Sequence, residues 1–308
     1  EPGNRLTPTL LGERALEMAK AAGLDAEVID RAKLEEMGAG ALLGVARGSD
    51  EPPVMIVMRY RSGRQGGPTL ALVGKGVTFD SGGLSLKPTD GMVDMKCDMA
   101  GAATVLAAIQ AIAELQIPIN VVGVLPLVEN LPSGRAMKLG DVLRTRSGKT
   151  IEVLNTDAEG RLILADALTY AVDQKATHLV DLATLTGACM VALGTEVAGL
   201  MSNHPSWSDQ VLSATARAGE RAWPLPMFPL YDPLIKSHVA DMKNTGGTRY
   251  GGAITAAKLL EQFVGQVPWA HLDIAGPAWA EDESPTRDPG GTGSFVRTLV
   301  ELARGYSS

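Results

Sequence analysis

The sequence is poor in cysteine, histidine and aromatic residues, and each shortage narrows the possible classes of protein. Two cysteines in 308 residues, Cys97 and Cys189, cannot form a disulfide framework or a Cys-x-x-Cys metal motif. Four histidines leave few candidates for a histidine-based catalytic site. Aromatic residues make up only 4% of the chain, so we expect a core of Ala, Val, Leu and Ile. The low cysteine count is typical of a protein of the reducing cytoplasm.

Long apolar runs and basic runs are also missing. No uninterrupted apolar run reaches the ~20 residues of a membrane span, and the first residues lack the basic and apolar regions of a signal peptide. The formal net charge is −7, whereas binding to a nucleic-acid backbone relies on clustered Lys and Arg. We therefore expect no membrane partner and no nucleic-acid partner. Because the chain starts with Glu1 rather than Met, we also expect a trimmed or processed piece of a longer protein.

The remaining composition is that of a globular α/β protein. Hydrophobic residues make up 45% and charged residues 20%, which excludes disorder as the dominant state, and 35 glycines predict many tight loops. Short apolar runs bounded by Gly and Pro predict buried strands. The strand, helix, strand order indicates a mostly parallel central sheet with helices on both faces. The predicted strands are 54–58, 69–73, 119–125, 178–182 and 270–276, and the predicted helices are 99–115, 162–172, 203–221, 253–263 and 295–302.

We expect one domain, residues 1–308. Residues 1–50 are predicted to be a helical lead-in without candidate chemistry, with a second short helix over 29–37. The strands 54–58 and 69–73 are expected to be neighbours in the sheet. Ligand sites in such sheets lie beyond the carboxyl ends of the strands. Two charged clusters follow predicted strands, so we expect them to meet at that edge.

The first charged cluster is the segment 155–162, Asn-Thr-Asp-Ala-Glu-Gly-Arg-Leu. It directly follows the β-leaning run 150–154. In extended backbone, side chains two residues apart point the same way, so Asp157, Glu159 and Arg161 could face one site. A solvated loop with weak ion pairs is the competing interpretation.

The second charged cluster follows the strand 69–73. Lys75 and Asp80 flank a glycine-bearing turn, Lys87 comes next, and Asp98 stands at the head of a helix. Several carboxylates cannot share a dry site without a cation, because their mutual repulsion would protonate some of them. Oxygen-rich ligand sets suit Mg, Mn or Zn, and two ions ~3.5 to 4 Å apart are common when one carboxylate bridges them. The two clusters together predict a metal site.

Three other interpretations of the second cluster stay open at this point. Residues 74–76 (Gly-Lys-Gly) could belong to a phosphate loop, although their spacing is not G-x-x-x-x-G-K-[ST]. Residues 80–83 (Asp-Ser-Gly-Gly) are similar to the surroundings of some protease serines, whose chemistry needs a His base. His178 and His271 lie in predicted buried strands, where a hydrogen-bonded core imidazole is expected. A purely structural ion-pair cluster would cost several kcal/mol per buried ion.

Both clusters together resemble those of the leucine (cytosol) aminopeptidases. The resemblance rests on residues 73–83 (Val-Gly-Lys-Gly-Val-Thr-Phe-Asp-Ser-Gly-Gly) and on the segment 155–162, which is the family signature. It covers the chain from about Leu6 to Leu302 and implies that only the family's catalytic domain is present, without its N-terminal domain. Further agreement lies at residues 98–103, 132–134, 183–187 and 270–276.

The resemblance implies a two-metal hydrolase. Asp80 and Glu159 would bridge two divalent ions, which would be Zn or Mn, with Mg or Co as further candidates. Lys75, as a neutral amine, and Asp98 would complete the coordination of one ion. Asp157 would complete that of the other ion.

The implied reaction is hydrolysis of the first peptide bond of a peptide that has a free α-amine. A water molecule that bridges the ions would be the nucleophile. Lys87 would stabilise the oxyanion, and Arg161 would bind a bicarbonate ion that shuttles the proton.

The resemblance also implies a pocket for the first side chain, a homohexamer and a cytoplasmic location. An apolar pocket lining predicts a preference for Leu or Met as the first residue. Some family members act as DNA-binding regulators or as structural proteins without catalysis, but the acidic balance and the intact ligand set argue against both roles here. The implied pocket residues are Met95, Asn155, Thr184, Gly187, Ala275 and Ala278.

Overall fold

A large mixed sheet forms the centre of the structure, a computed structural model that describes residues 1–63, 67–284 and 287–306. In chain order the strands are β1 (Asp25–Ile29), β2 (Val54–Tyr60), β3 (Thr69–Gly74), β4 (Gly76–Asp80), β5 (Asn120–Asn130), β6 (Val142–Arg144), β7 (Thr150–Glu152), β8 (His178–Ala183), β9 (Ala198–Ser202), β10 (Ala222–Pro224), β11 (Met242–Lys243), β12 (Trp269–Asp273), β13 (Trp279–Ala280) and β14 (Gly290–Gly291).

Helices cover both faces of this sheet, as predicted. The predicted helices correspond to α5, α6, α8, α9 and α10. In chain order the helices are α1 (Pro8–Ala21), α2 (Arg31–Glu36), α3 (Gly40–Ala46), α4 (Thr89–Met92), α5 (Ala100–Glu114), α6 (Gly160–Asp173), α7 (Gly187–Leu193), α8 (Pro205–Ala218), α9 (Gly252–Glu261) and α10 (Val296–Tyr306), with 3₁₀ turns at Met95–Cys97 and Pro229–Ile235.

The main sheet has the strand order β1-β2-β5-β3-β8-β12-β9-β10. Strand β4 pairs with the C-terminal end of β5. Strands β5, β3, β8 and β12 run parallel to one another, whereas β2 and β9 flank them antiparallel. The prediction of a mostly parallel central sheet is therefore confirmed. Two apolar cores follow from it, one under α3, α6 and α9 and the other under α1, α5, α8 and α10.

Helix α5 shows why these segments fold as they do. Its apolar side chains recur every three or four residues, so they form one face of the helix. Ala102, Val105, Ile109 and Ile112 on that face are buried against the sheet. The first turn of α5 is fixed at the sheet edge, because the N–H of Ala102 donates to the carbonyl of Lys75 at 2.8 Å.

Three details differ from the sequence predictions. Strands β2 and β3 belong to one sheet, but β5 lies between them, because the apolar pattern of a buried strand does not encode its neighbours. Residues 1–50 include the edge strand β1 as well as helices, and α2 begins only at Arg31. Strand β7 pairs with β6 and β11 in a separate small sheet, so the segment 155–162 does not follow a strand of the main sheet.

Among the described residues, one helical stretch, Thr89–Glu114, has the length and hydropathy of a membrane span. Its apolar window is 50% buried inside the fold. It contains α5, which packs against the sheet and against α10. A core helix meets the same criteria, so the stretch is weak evidence for a span.

Candidate active site

A cavity of about 500 Å³ brings the two charged clusters together at the carboxyl ends of the parallel strands. Lys75 directly follows β3, Asp80 ends β4 and Thr184 directly follows β8. The other cluster reaches the same cavity from the loop between β7 and α6. The charged residues that line the cavity are Lys75, Asp80, Lys87, Asp98, Asp157, Glu159 and Arg161.

Three carboxylates converge in this cavity. Asp80, Asp157 and Glu159 each offer one oxygen, and these oxygens all lie within 4.8 Å of one another. Asp80 and Glu159 are buried, whereas the side chain of Asp157 is 32% exposed. This arrangement is suited to a cation, because like charges at such distances repel in a buried site.

Lys75 links the fourth carboxylate, Asp98, to this group. Its Nζ lies 2.7 Å from Asp98 Oδ1 and 2.8 Å from Glu159 Oε1, and it donates to the carbonyl of Thr184 at 3.0 Å. Burial alone would lower the pKa of Lys75, but the carboxylates of Asp98 and Glu159 raise it above its ordinary value. The carboxylates thus favour the ammonium form of Lys75 when no cation is bound, and a metal ion would have to displace this proton before the amine could act as a ligand.

Lys87 neutralises the other side of the cavity. Its Nζ lies 2.9 Å from Asp80 Oδ2 and 2.6 Å from Asp157 Oδ1. Burial opposes the charge, but the two carboxylates hold the pKa of Lys87 above its usual range. The cavity thus keeps a positive charge between the two acidic loops.

Two carboxylate oxygens of the cavity are left to bind a further ligand. Among the described residues, Asp98 Oδ2 and Glu159 Oε2 are buried without a hydrogen-bond partner. Burial, together with the neighbouring carboxylates, raises the pKa of both groups, and Lys75 only partly offsets this effect. An unpaired buried carboxylate oxygen is costly, and oxygen is the ligand that hard divalent ions prefer. The residues present therefore fit divalent cations.

Arg161 lies beside the carboxylates in the first turn of α6. It is buried, and its Nη1 donates to the carbonyl of Asn244 at 2.7 Å. Its Nε has no hydrogen-bond partner among the described residues. Burial lowers its pKa to about 10, while Glu159 and Asp273 oppose the shift, so Arg161 stays charged at neutral pH. The guanidinium can bind a small anion.

The extended backbone predicted for Asp157, Glu159 and Arg161 is wrong. Residues 156 and 157 form a turn, Glu159 has helical angles (φ −78°, ψ −34°) and Arg161 is already in α6. The three side chains nevertheless line one cavity, because a turn that enters a helix aims them at it. Strand β7 has already ended at Glu152, and Gly160, a residue with low strand propensity, is the first residue of α6.

Two buried asparagines that the sequence analysis did not single out shape the site. Asn244 accepts from the N–H of Leu154 at 2.8 Å and donates to the carbonyl of Asn155 at 2.7 Å. Asn130, the last residue of β5, donates to Asp80 Oδ1 at 2.8 Å. A polar residue at the end of an apolar strand was the available signal for Asn130. Nothing local marks Asn244, since its partners are about ninety residues away in the chain.

Five of the six predicted pocket residues line the cavity: Met95, Asn155, Thr184, Gly187 and Ala275. Ala278 does not. The turn after β12, in which the N–H of Ala278 donates to the carbonyl of Ile274 at 3.0 Å, carries it into a separate cavity of about 330 Å³. Its placement beside the other five is therefore wrong in this structure.

Of the competing interpretations of the second cluster, the phosphate loop and the serine protease find no support in the geometry, whereas ion pairs do form between the two lysines and the four carboxylates. Ser81 is buried and its hydroxyl donates to the carbonyl of Asn130 at 2.7 Å, and none of the described histidines lines the cavity. The expected core role of His271 is confirmed, since its Nδ1 lies 2.6 Å from a carboxylate oxygen of buried Asp181. Residues 74–76 join β3 to β4, and the N–H of Lys75 donates to the carbonyl of Leu182 rather than facing a ligand.

Comparisons with known proteins identify relatives of the whole chain. The chain is 58% identical over 300 residues to a probable cytosol aminopeptidase of Rhodopirellula baltica. This alignment covers 97% of the chain and 59% of that protein. It is 51% identical over 304 residues to a probable cytosol aminopeptidase of Alkaliphilus metalliredigens, with 99% and 61% covered. The chain therefore spans about three fifths of the length of these relatives.

Two solved structures are also similar to this chain over its whole length. The bottromycin maturation enzyme BotP superposes with a TM-score of 0.93 at 45% identity, over 100% of this chain and 67% of that chain. The same enzyme in complex with Mn superposes with a TM-score of 0.95, again at 45% identity, over 100% and 68%. The model of the cytosol aminopeptidase family, catalytic domain, matches residues 1–300. This chain therefore belongs to the cytosol aminopeptidase family.

Proposed function

We propose that this chain is the catalytic part of a metal-dependent aminopeptidase, which hydrolyses the first bond of peptides with a free α-amine. The observation that carries the proposal is the convergence of Asp80, Asp157 and Glu159 in one cavity, with unpartnered carboxylate oxygens beside them. The names of the relatives and the Mn complex of the similar enzyme support it.

Five side chains would hold two divalent ions. Asp80 and Glu159 would be shared between them, and Asp157 would serve one ion. Asp98 would serve the other ion together with Lys75, whose amine would have to be neutral to act as a ligand. When bound, the ions would supply an activated water nucleophile, polarisation of the scissile carbonyl and a contact for the α-amine. Manganese is the first candidate because the similar enzyme binds Mn, and Zn, Mg and Co remain alternatives.

Lys87 and Arg161 would act on the charges that develop during the reaction. The Lys87 ammonium, held between Asp80 and Asp157, is placed in the cavity where it can stabilise an oxyanion. No histidine among the described residues reaches the cavity to act as a base. The free Nε and the planar fork of Arg161 would instead hold a bicarbonate ion that accepts the proton.

The lining of the cavity supports a preference for an apolar first residue. Met95, Leu185, Met190 and Ala275 provide apolar surface next to the carboxylates, and Gly187 leaves room for a side chain. Leu and Met as first residues fit this lining better than charged residues, because a charge would be desolvated there without a partner. We further propose that the protein works in the cytoplasm and assembles as a homohexamer.

Hydrolysis of leucine p-nitroanilide tests the proposed function. We expect activity that a chelator abolishes and that added Mn or Zn restores, with lower activity on the glutamate and lysine analogues. Glu159→Gln should remove the activity. Glu152→Gln is a matched control, because Glu152 lies in β7, binds Ser237 and does not line the cavity. Activity that survives complete chelation would contradict the metal mechanism, and inactivity with every added metal would favour a non-catalytic role.

A further inference from the structure

Two loops that are far apart in the chain supply three of the four carboxylates of the cavity, Asp80, Asp157 and Glu159. We call residues 80–87 the first loop and residues 155–159 the second loop. Asp80 and Asp157 lie on different loops and carry the same charge, so their repulsion tends to separate the loops. The Lys87 ammonium, which lies between Asp80 and Asp157, offsets part of this repulsion. Contacts that do not depend on these charges also hold the loops together.

Thr156 provides one such contact from the second loop. Its side chain is fully buried. Its hydroxyl donates to the carbonyl of Gly82 at 2.6 Å and accepts from the N–H of Ser85 at 2.8 Å. The N–H of Thr156 donates to Ser85 Oγ at 3.2 Å. Three hydrogen bonds therefore tie this one residue to the first loop.

Asn130 provides the second contact, from the end of β5. It is 1% exposed, and its amide donates both to Asp80 Oδ1 at 2.8 Å and to the carbonyl of Thr156 at 3.0 Å. The N–H of Gly82 also donates to Asp80 Oδ1, at 2.9 Å. Because two donors occupy Oδ1, Oδ2 is the oxygen of Asp80 that meets Lys87.

The glycines of the first loop make this approach possible. Gly82 and Gly83 both have left-handed backbone angles, with φ of +85° and +64°. A Cβ on Gly83 would lie 3.0 Å from Asn130 Oδ1 and 3.1 Å from Thr156 Oγ1. Any larger residue at this position would push against both side chains.

We propose that Asn130 and Thr156 are positioning residues that set the spacing of the two acidic loops and thereby the affinity for divalent cations. Neither side chain lines the cavity, so they act through Asp80 and Asp157 rather than on the substrate. The inference rests on the proposed function, because it assumes that these carboxylates bind metal. Hydrogen-bond partners behind metal ligands typically change metal affinity by roughly 10- to 100-fold when removed.

Titration of the full chain with Mn²⁺ tests the inference, with the free ion followed by electron paramagnetic resonance. We expect Thr156→Val to weaken Mn²⁺ binding by roughly 10- to 100-fold, and Thr156→Ser, which keeps the hydroxyl, to bind nearly as well as wild type. Thr215→Val is the matched control. Thr215 is also buried and its hydroxyl donates to the carbonyl of Leu212 at 2.7 Å, but it lies in α8.

A second variant keeps the inference testable if Thr156→Val does not fold, as judged by near-ultraviolet circular dichroism. Asn130→Ala should weaken Mn²⁺ binding as well, and the effects of the two substitutions should not be additive, because both act on one set of contacts. The inference would be overturned if either folded variant bound Mn²⁺ with wild-type affinity. It would also be overturned if Thr156→Ser bound as weakly as Thr156→Val, or if Thr215→Val lost as much affinity for Mn²⁺. A wild-type chain that binds neither Mn²⁺ nor Zn²⁺, Mg²⁺ or Co²⁺ in calorimetric titration would instead refute the proposed function itself, and the inference with it.

Discussion

At the scale of single residues, the cavity is organised by charge compensation. Each of the two lysines lies between two carboxylates, Lys75 between Asp98 and Glu159 and Lys87 between Asp80 and Asp157. These contacts offset much of the repulsion among the four acidic groups, which burial would otherwise make severe. The acidic loops can therefore fold together before any cation binds.

Arg161 allows a prediction at this scale. Arg161→Lys keeps a positive charge but loses the planar fork that binds an anion such as bicarbonate through two parallel bonds. We expect the rate of leucine p-nitroanilide hydrolysis to fall roughly 100-fold, the size typical of a lost proton-transfer partner, and to stop responding to added bicarbonate. Arg217→Lys, on the surface of α8, serves as the control. An Arg161→Lys enzyme with unchanged rate and bicarbonate response would refute the proposed role.

At the scale of elements, the site depends on how closely α5 approaches the sheet. Asp98 precedes α5, and Lys75 follows β3, so their contact requires the start of the helix to touch the sheet edge. Gly101 makes this possible. A Cβ at Gly101 would collide with the carbonyl of Leu182 in β8 and would lie 2.9 Å from the backbone nitrogen of Lys75.

Gly101→Ala should therefore damage both fold and site. We expect a loss of roughly 1 to 3 kcal/mol in the free energy of unfolding, from overpacking against backbone that cannot move aside. Mn²⁺ binding should weaken as well, because Asp98 moves with the helix. Urea unfolding and Mn²⁺ titration measure the two effects. Gly91→Ala is the control, since the nearest atom to its Cβ in the described part of the chain would be one of Pro88, at 3.8 Å. Equal behaviour of the two variants would contradict this account of α5.

Asp166 in α6 connects another pair of elements. Its carboxylate accepts from the N–H of Leu42 in α3 at 2.9 Å and from the N–H of Arg146 at 2.7 Å. Burial raises its pKa to about 7, although these N–H groups oppose the shift. A carboxyl whose pKa is raised on folding stabilises the fold most below its unfolded pKa of about 3.9, and this stabilisation is lost as the pH rises through about 7.

Comparison with Asp166→Asn isolates this pH dependence, because asparagine does not titrate. We expect the free energy of unfolding of the wild type, relative to the variant, to fall by roughly 2 to 3 kcal/mol between pH 5 and pH 8 and to stay constant above that. Urea unfolding at each pH provides the measurement. A constant difference between the two proteins from pH 5 to pH 8 would show that Asp166 does not titrate in this range.

At the scale of the whole molecule, large apolar side chains are exposed over residues 223–250. Trp223 lies on β10 at the edge of the main sheet and is 63% exposed, and Phe228 and Leu230 are 58% and 65% exposed. Val239 and Tyr250 are 66% and 70% exposed. Exposed large apolar side chains such as these would be covered where copies of the chain meet, as in the proposed homohexamer.

Sedimentation velocity tests this assembly. We expect the wild-type chain to sediment as an oligomer and the double variant Phe228→Asp/Leu230→Asp to dissociate, because charges would be buried in the contact. Leu115→Asp is a matched control, since Leu115 is 52% exposed but lies at the end of α5, outside residues 223–250. A monomeric wild type would refute self-association, and an intact oligomer of the double variant would place the contact elsewhere.

The local patterns that were predicted correctly share a physical cause. Buried strands such as β3 and β8 and helices such as α5 reveal themselves by runs and periods within a few residues. The composition of the segment 155–162 and of residues 73–83 likewise pointed to the charged groups that now line one cavity. Local patterns did not predict three other features. These are the contacts of Asn130 and Asn244, the position of Ala278 outside the cavity, and the position of β5 between β2 and β3.

The sequence by itself therefore determined the central buried strands and the long helices, which residue types form the site and to which family the chain is similar. Each of these features is a short-range pattern of hydrophobicity or a motif. The tertiary structure decided the neighbours of each strand and the turn that directs Asp157 and Glu159 into the cavity. It also decided the hydrogen bonds by which Asn130 and Thr156 connect the two loops. Those features depend on hydrogen bonds and packing between residues far apart in the chain, which no local pattern encodes.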